Sequence, residues 1–179
     1  MRKAFTLLEL VFVIVVIGIL AAMIIPSTRT NPVAEAAIQL QSHIRYAQHL
    51  AMVDDKFDTA NSNWYKNLWQ IAFNGNQYSI VANNNGLFAK DPLTQNDMQN
   101  IDLNADFGIT SITYSGGCAA EKDISFGHLG RPITGDLNAA TSHVLSLGGL
   151  LTAACVITLT NGSETETITI SPETGYTRR

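Results

Sequence analysis

Residues 5–26 read FTLLELVFVIVVIGILAAMIIP, an apolar stretch that contains one charged side chain, Glu9, and ends at Pro26. Between residues 7 and 25 this stretch would extend about 28 Å as a helix, at about 1.5 Å per residue. That length matches the hydrocarbon core of a bilayer, which is about 30 Å thick. The stretch therefore predicts a membrane-spanning helix. Because a charge in hydrocarbon costs several kcal/mol, Glu9 is a candidate functional residue.

The charges before this stretch predict its orientation. Arg2 and Lys3 precede the apolar run, and basic residues favour the cytoplasmic side of a membrane. We therefore expect a single-pass protein of the inner membrane, with a cytoplasmic N-terminus and a periplasmic globular domain. A removed secretory signal is the alternative, but such a signal has a shorter apolar run followed by a small-residue cleavage site.

The overall charge narrows the range of functions. The chain has 11 Lys and Arg against 15 Asp and Glu, a net charge of −4, which argues against general nucleic-acid binding through a basic surface. It has no P-loop, no dinucleotide fingerprint and no hydrolase motif, so we expect that it is not an enzyme.

Metal sites have little support in the sequence. Residues 102–106 resemble the start of a calcium loop, but Phe107 stands where glycine is needed and Thr113 where glutamate is needed. His43 and His49 lie six residues apart, so they do not share a helix face as zinc ligands would. We expect no cofactor, with calcium only weakly supported.

The two cysteines, Cys118 and Cys155, would both lie outside the cytoplasm in this topology. In an oxidising compartment such a pair favours a disulfide, and two unpaired buried thiols are the alternative. Cys155 also has the strand parity of Ile157 and Leu159, so its side chain is expected to face the core.

Apolar spacing predicts a helix from about Pro32 to Val53, which we expect to continue the first helix as one bent or loosened rod. Alternating patterns predict hairpins around residues 74–76 and Asn161-Gly162, with a turn at 83–86 and polar loop over 87–108. The fold class is therefore α+β, with a long N-terminal helix, half membrane-embedded and half amphipathic, packed against a C-terminal antiparallel sheet.

The basic leader followed by residues 5–26 resembles the class III signal of type IV pilins and of the pseudopilins of type II secretion. The resemblance implies three segments: a leader at 1–4, a transmembrane and filament-core helix at 5–26, and a globular pilin domain at 27–179. It also implies that a prepilin peptidase cuts between Ala4 and Phe5 and methylates the new amine of Phe5. The family usually has glycine where this chain has Ala4, which puts the rate of processing in doubt.

The same resemblance implies how the chain assembles. Glu9 of one subunit would meet the cationic amine of a neighbour's Phe5 and fix the axial register of a filament. The implied partners are other pilins or pseudopilins, the prepilin peptidase and the inner membrane.

The stretches LQSHIRYAQHLAMVDD, ISFGHLGRP and ITISPETGY are similar to the FimT/GspH-type minor pilins. The implied function is a minor pilin or pseudopilin that helps to initiate or assemble a filament. Some members of that group bind DNA during uptake, and here Tyr176, Arg178 and Arg179 would make that contact. The alternatives are a DNA-binding minor pilin, with a solvated basic tail as the simpler reading of this tip, and a membrane-anchored extracytoplasmic binding module.

Overall fold

The computed structural model describes residues 7–24, 31–82, 87–135, 137, 140–143 and 149–179. The chain divides into two compact units, Met1–Pro32 and Val33–Arg179. The predicted processing positions Ala4 and Phe5, and the predicted turn at 83–86, lie outside the described residues.

The first helix, α1, extends over Leu7–Ile24, and Glu9 lies in its first turn. A carboxylate at this position stabilises a helix because the unpaired backbone N–H groups of the N-terminus carry partial positive charge. The described side chains of α1, from Leu7 to residue 21, are all exposed.

The second helix, α2, extends over Pro32–Val53 and belongs almost entirely to the second unit. The prediction of one long N-terminal helix is therefore wrong. The physical reason lies in two prolines, since Pro26 disfavours helical backbone at the residue before it. Pro32 suits the first position of a new helix, where its missing N–H would have had no partner.

Within the described ranges, no helix has both the length and the apolar character that crossing a bilayer requires. The prediction of a single-pass transmembrane helix is therefore wrong, and so is the location deduced from it, an inner-membrane anchor with a periplasmic domain.

The second unit contains two antiparallel sheets. The first has the order β3-β2-β1-β6-β7, with β4 also paired to β2, and its strands are β1 Trp69–Asn74, β2 Gln77–Ala82, β3 Leu87–Phe88, β4 Ile101–Asp102, β6 Ile124–Phe126 and β7 Pro132–Thr134. The second has the order β10-β9-β8-β5, and its strands are β5 Ser111–Gly116, β8 Cys155–Thr160, β9 Thr165–Ile170 and β10 Thr177–Arg178. The predicted fold class, a long helix packed against one C-terminal sheet, is wrong in this respect too.

Part of this difference lies in residues 87–108, which were predicted to be polar loop. These residues contain β3, β4 and a short helix, α3, at Leu103–Phe107. Asp102 caps α3, since its Oδ1 accepts hydrogen bonds from the backbone N–H groups of Asn104 and Ala105. Strands of two residues carry too short an alternation to be recognised in a sequence.

Both predicted hairpins are present. β1 and β2 pair from Trp69↔Ala82 to Asn74↔Gln77, and β8 and β9 pair from Cys155↔Ile170 to Thr160↔Thr165. Along β8 every second residue is buried, beginning with Cys155. The alternation places the apolar face of each strand on the core.

One hydrophobic core joins α2 to both sheets. The helix contributes a stripe of seven buried residues: Val33, Ala36, Ala37, Leu40, Ile44, Ala47 and Ala51. Four of the seven are alanines, so the helix backbone can approach the strands closely while larger residues such as Ile71, Phe126 and Ile157 fill the space between them.

A disulfide joins Cys118 to Cys155 with a Cα–Cα distance of 5.0 Å. Two glycines permit this approach. A Cβ on Gly116 would lie 2.1 Å from the carbonyl oxygen of Ala154, and one on Gly117 would lie 2.3 Å from that of Ala153. Gly116 also has a φ of 68°, a backbone conformation that favours glycine. The end of β5 can therefore run close to the chain that enters β8.

A half-buried histidine, His43, and a buried tyrosine, Tyr78, connect α2 to the first sheet. His43 Nδ1 lies 2.6 Å from the Oη of Tyr78. Burial lowers the pKa of His43, against the raising effect of Asp91, and burial raises the pKa of Tyr78. Both groups are therefore neutral near pH 7, and a hydrogen bond joins them.

We expect the disulfide to stabilise the fold substantially. Its cysteines are 37 residues apart, and closing such a loop in the unfolded chain stabilises the folded state by about 4 kcal/mol in the chain-entropy model. The double variant Cys118→Ala/Cys155→Ala should lose stability of that order in urea unfolding. Reduction of the unmodified protein by dithiothreitol should give a similar loss, and equal midpoints with and without reductant would contradict the prediction.

The neutral state of His43 predicts a pH dependence of stability. Below about pH 6.5, the ordinary histidine pKa, the unfolded state binds a proton that folded His43 binds only at lower pH. The free energy of unfolding should therefore fall between pH 7.5 and 5.5, and it should fall less in His43→Gln. Urea unfolding at both pH values measures this difference. The exposed His49 provides the control, since His49→Gln should keep the pH dependence of the unmodified protein.

Candidate functional site

Most of the large apolar side chains that are exposed in the described chain belong to α1. Leu7 and Leu8 are each 81% exposed, and Phe12 is 69% exposed. The large apolar residues from Leu10 to Leu20 are exposed on every side of the helix. An apolar helix normally has neighbours all round it, because apolar surface in water is unfavourable. α1 is therefore suited to contact several apolar partners at once.

Glu9, the predicted assembly residue, lies in the first turn of α1 and is exposed. It is the sole acidic residue among the 18 of this helix. If neighbours surrounded α1, the carboxylate would enter an apolar environment, where an ionised group requires a cation and hydrogen bonds. The structure thus places a charge where a partner would have to recognise it.

The C-terminal segment is held by the polar side of α2. The carbonyl oxygen of Thr177 accepts hydrogen bonds from Gln41 Nε2 at 3.0 Å and from Arg45 Nη2 at 2.6 Å. One turn further on, Gln48 Nε2 lies 2.9 Å from the carbonyl oxygens of both Gly130 and Thr174. These hydrogen bonds hold the C-terminal segment against α2.

Two of the three predicted DNA-contact residues share one face of the tip. Thr177 is buried, and its neighbours Tyr176 and Arg178 are exposed. Alternation along an extended chain is expected to turn Tyr176, just before β10, and Arg178, within it, to the same side. Arg179 is engaged differently, because its Nε lies 3.8 Å from Glu166 Oε2 and its Nη1 lies 3.5 Å from the carbonyl oxygen of Ala34.

The roles of Gln41, Arg45 and Gln48 were not foreseen from the sequence. Their four- and three-residue spacing places them on one side of α2, next to the apolar stripe. That spacing is the signal that could have identified them. The sequence did not show that their partners would be backbone carbonyls more than 80 residues away.

The suggested calcium segment has a structural role. Besides capping α3, Asp102 accepts a hydrogen bond from Gln77 Nε2 at 2.8 Å, and the pKa of its carboxyl is lowered, first by the backbone N–H of Ala105 and then by Gln77. Among the described residues, no group of three or more His, Cys, Asp or Glu side chains is arranged to hold a metal ion.

The comparisons with known proteins identify no relative. No family model, no curated protein and no solved structure matches the chain. The functional interpretation therefore depends on the two surfaces described above, the apolar helix α1 with Glu9 and the C-terminal tip held by α2.

Proposed function

We propose that this chain is a structural subunit of a filament of the type IV pilus or type II secretion pseudopilus class, a minor subunit that contributes to filament initiation and assembly. The observation that carries the proposal is the surface of α1, which is apolar and exposed on every side. Exposed apolar patches of this extent mark interaction sites in soluble proteins. The resemblance of residues 5–26 to pilin signals agrees with this interpretation.

The partners of α1 in this proposal are the equivalent helices of other subunits. A helix that buries one stripe would pair with one neighbour, whereas α1 has no polar side and suits the centre of a bundle. Helices that repeat along an axis provide apolar contacts all round. Gly18, the one glycine of the helix, has open space around it and would let a neighbouring helix approach closely.

Glu9 supplies the register of this bundle. Apolar helices slide past one another at little cost, because their contacts are alike at many offsets. A buried carboxylate that must meet a cation selects one offset, and the fixing of register is the best-attested use of buried polar groups. After cleavage between Ala4 and Phe5, the amine of a neighbouring Phe5 is the cation in this proposal.

The test compares two acidic residues that each lie in the first turn of a helix, Glu9 of α1 and Glu35 of α2. Glu9→Leu leaves the partner amine buried without a counter-charge, so its recovery in the sheared filament fraction should fall at least about tenfold. Glu35 is exposed in the second unit, and Glu35→Leu should be incorporated as the unmodified chain is. Immunoblots of sheared filaments against whole cells measure this ratio.

Mass spectrometry of the native protein provides the second measurement. A mature chain that begins with N-methylated Phe5 is expected. A native chain that keeps Met1, or Glu9→Leu present in filaments at the level of the unmodified chain, would count against the proposed function.

A second candidate activity is DNA contact at the C-terminal tip. It is favoured by the shared exposed face of Tyr176 and Arg178, since an aromatic ring can stack on a base while a guanidinium contacts phosphate. The anchoring of Thr177 by Gln41 and Arg45 would hold this face in place. Arg179 would contribute less, because it already lies near Glu166.

Gel retardation of a short DNA duplex at low salt distinguishes the two arginines. Arg178→Ala should weaken retention more than Arg179→Ala, and it should reduce the slope of log affinity against log salt by about 1. Lys122→Ala removes an exposed cation outside the tip and should leave retention unchanged. No retention by the unmodified chain, or equal effects of all three variants, would exclude the tip as a DNA site.

A further inference from the structure

A cavity of about 160 Å³ opens on the second unit. It lies next to the smaller of the two hydrophobic clusters, formed by Leu68, Ile133 and Leu137. Its described lining is Trp64, Leu68, Gly127, His128, Leu129, Arg131, Ile133, His143 and Leu150. The mostly apolar lining is typical of small-molecule sites, and the volume, which is below their usual range of about 300–1,000 Å³, suits a compact ligand.

Aromatic rings form one wall of the cavity. The indole of Trp64 lies 4.5 Å from the imidazole of His143, with an angle of 42° between the rings. Phe57 packs edge-on against the same indole, at 5.1 Å between centroids. Trp64 is only half-buried, so its surface remains partly accessible from the cavity. A flat apolar ligand would find a stacking surface here.

The charged groups of the lining favour an anion. Arg131 is the one residue with a permanent charge in the described lining, and His128 and His143 add imidazole groups. No aspartate or glutamate belongs to that lining. Two carboxylates lie beside this lining: Glu173, which is paired with Arg131, and Asp55, which lines an adjoining recess. A carboxylate ligand would therefore meet nitrogen groups and apolar carbon in this cavity.

Arg131 has spare hydrogen-bonding capacity. Its Nη2 forms an ion pair with Glu173 at the surface. Its Nε is buried, yet within the described chain it has no hydrogen-bond acceptor. This N–H is closed to solvent, so a ligand in the cavity would meet the partly exposed remainder of the guanidinium, whose planar geometry matches a carboxylate particularly well.

We propose that the cavity bounded by Trp64, Arg131 and His143 binds an aromatic carboxylate. The ring of the ligand lies against Trp64 and the aliphatic side chains Leu68, Ile133 and Leu150. The carboxylate lies at Arg131, whose partly exposed guanidinium donates a hydrogen bond to it. This site is independent of the filament function, because none of its residues belongs to α1 or to the C-terminal tip.

Calorimetry with two matched probes tests the site, using naphthalene-2-carboxylate and the neutral 2-naphthalenemethanol. The full chain should bind the carboxylate at least about tenfold more tightly, the value of one charge-assisted hydrogen bond. Arg131→Gln should abolish this preference and leave the affinity for the alcohol unchanged. Trp64→Leu should weaken both probes, and quenching of Trp64 fluorescence should accompany binding, since the other tryptophan, Trp69, is buried.

The control is Glu173→Gln, which removes the ion pair of Arg131 but keeps its guanidinium. This variant should bind the carboxylate at least as tightly as the unmodified chain. Circular dichroism confirms that each variant is folded, and Arg131→Gln, which changes a partly exposed side chain, keeps the test valid if Trp64→Leu does not fold. Equal affinity for the two probes, an unchanged preference in Arg131→Gln, or no binding of either probe at millimolar concentration would overturn the proposal.

Discussion

The second unit depends on the burial of one narrow stripe of α2. Seven residues of this helix, four of them alanine, lie in the core into which both sheets direct alternate side chains. Small side chains bring the helix backbone close to the strands. Its neighbouring polar residues can therefore reach backbone carbonyls directly, as Gln41 and Arg45 reach Thr177. The same helix thus supplies the apolar contacts and the polar bonds that hold the sheets and the C-terminal segment together.

The sequence predicted local structure well where short-range patterns were clear. The period of α2, the turns at residues 74–76 and Asn161-Gly162, and the inward parity of Cys155 all follow from short-range rules. The division of the strands between two sheets did not follow, because it depends on long-range pairing such as that of β5 with β8. Strands of two residues, such as β3 and β4, are too short to show alternating polarity. Residues 87–108 were therefore predicted as polar loop.

The predictions made from the sequence were least accurate for the first helix, α1. Apolar composition over residues 7–25 suggested a bilayer, but composition alone does not distinguish lipid from protein as the apolar environment of a helix. In this part of the chain the described residues form two helices, α1 at Leu7–Ile24 and α2 at Pro32–Val53, instead of the one long helix that was predicted. For the candidate sites, the sequence indicated Glu9 and the tip residues, whereas the cavity at Trp64 combines segments about 80 residues apart and had no local signature.

The bonds from α2 to Thr177 have a consequence for biosynthesis. They join residues 136 and 132 positions apart, so the helix is made long before its partners exist. A ribosome adds about 5–20 residues per second, and α2 therefore waits several seconds or more with its polar groups in water and its alanine stripe uncovered. The second unit can close only after the end of β10 has left the ribosome. Until then the nascent chain exposes an incomplete apolar core. Exposed apolar surface of this kind is what a holding chaperone binds.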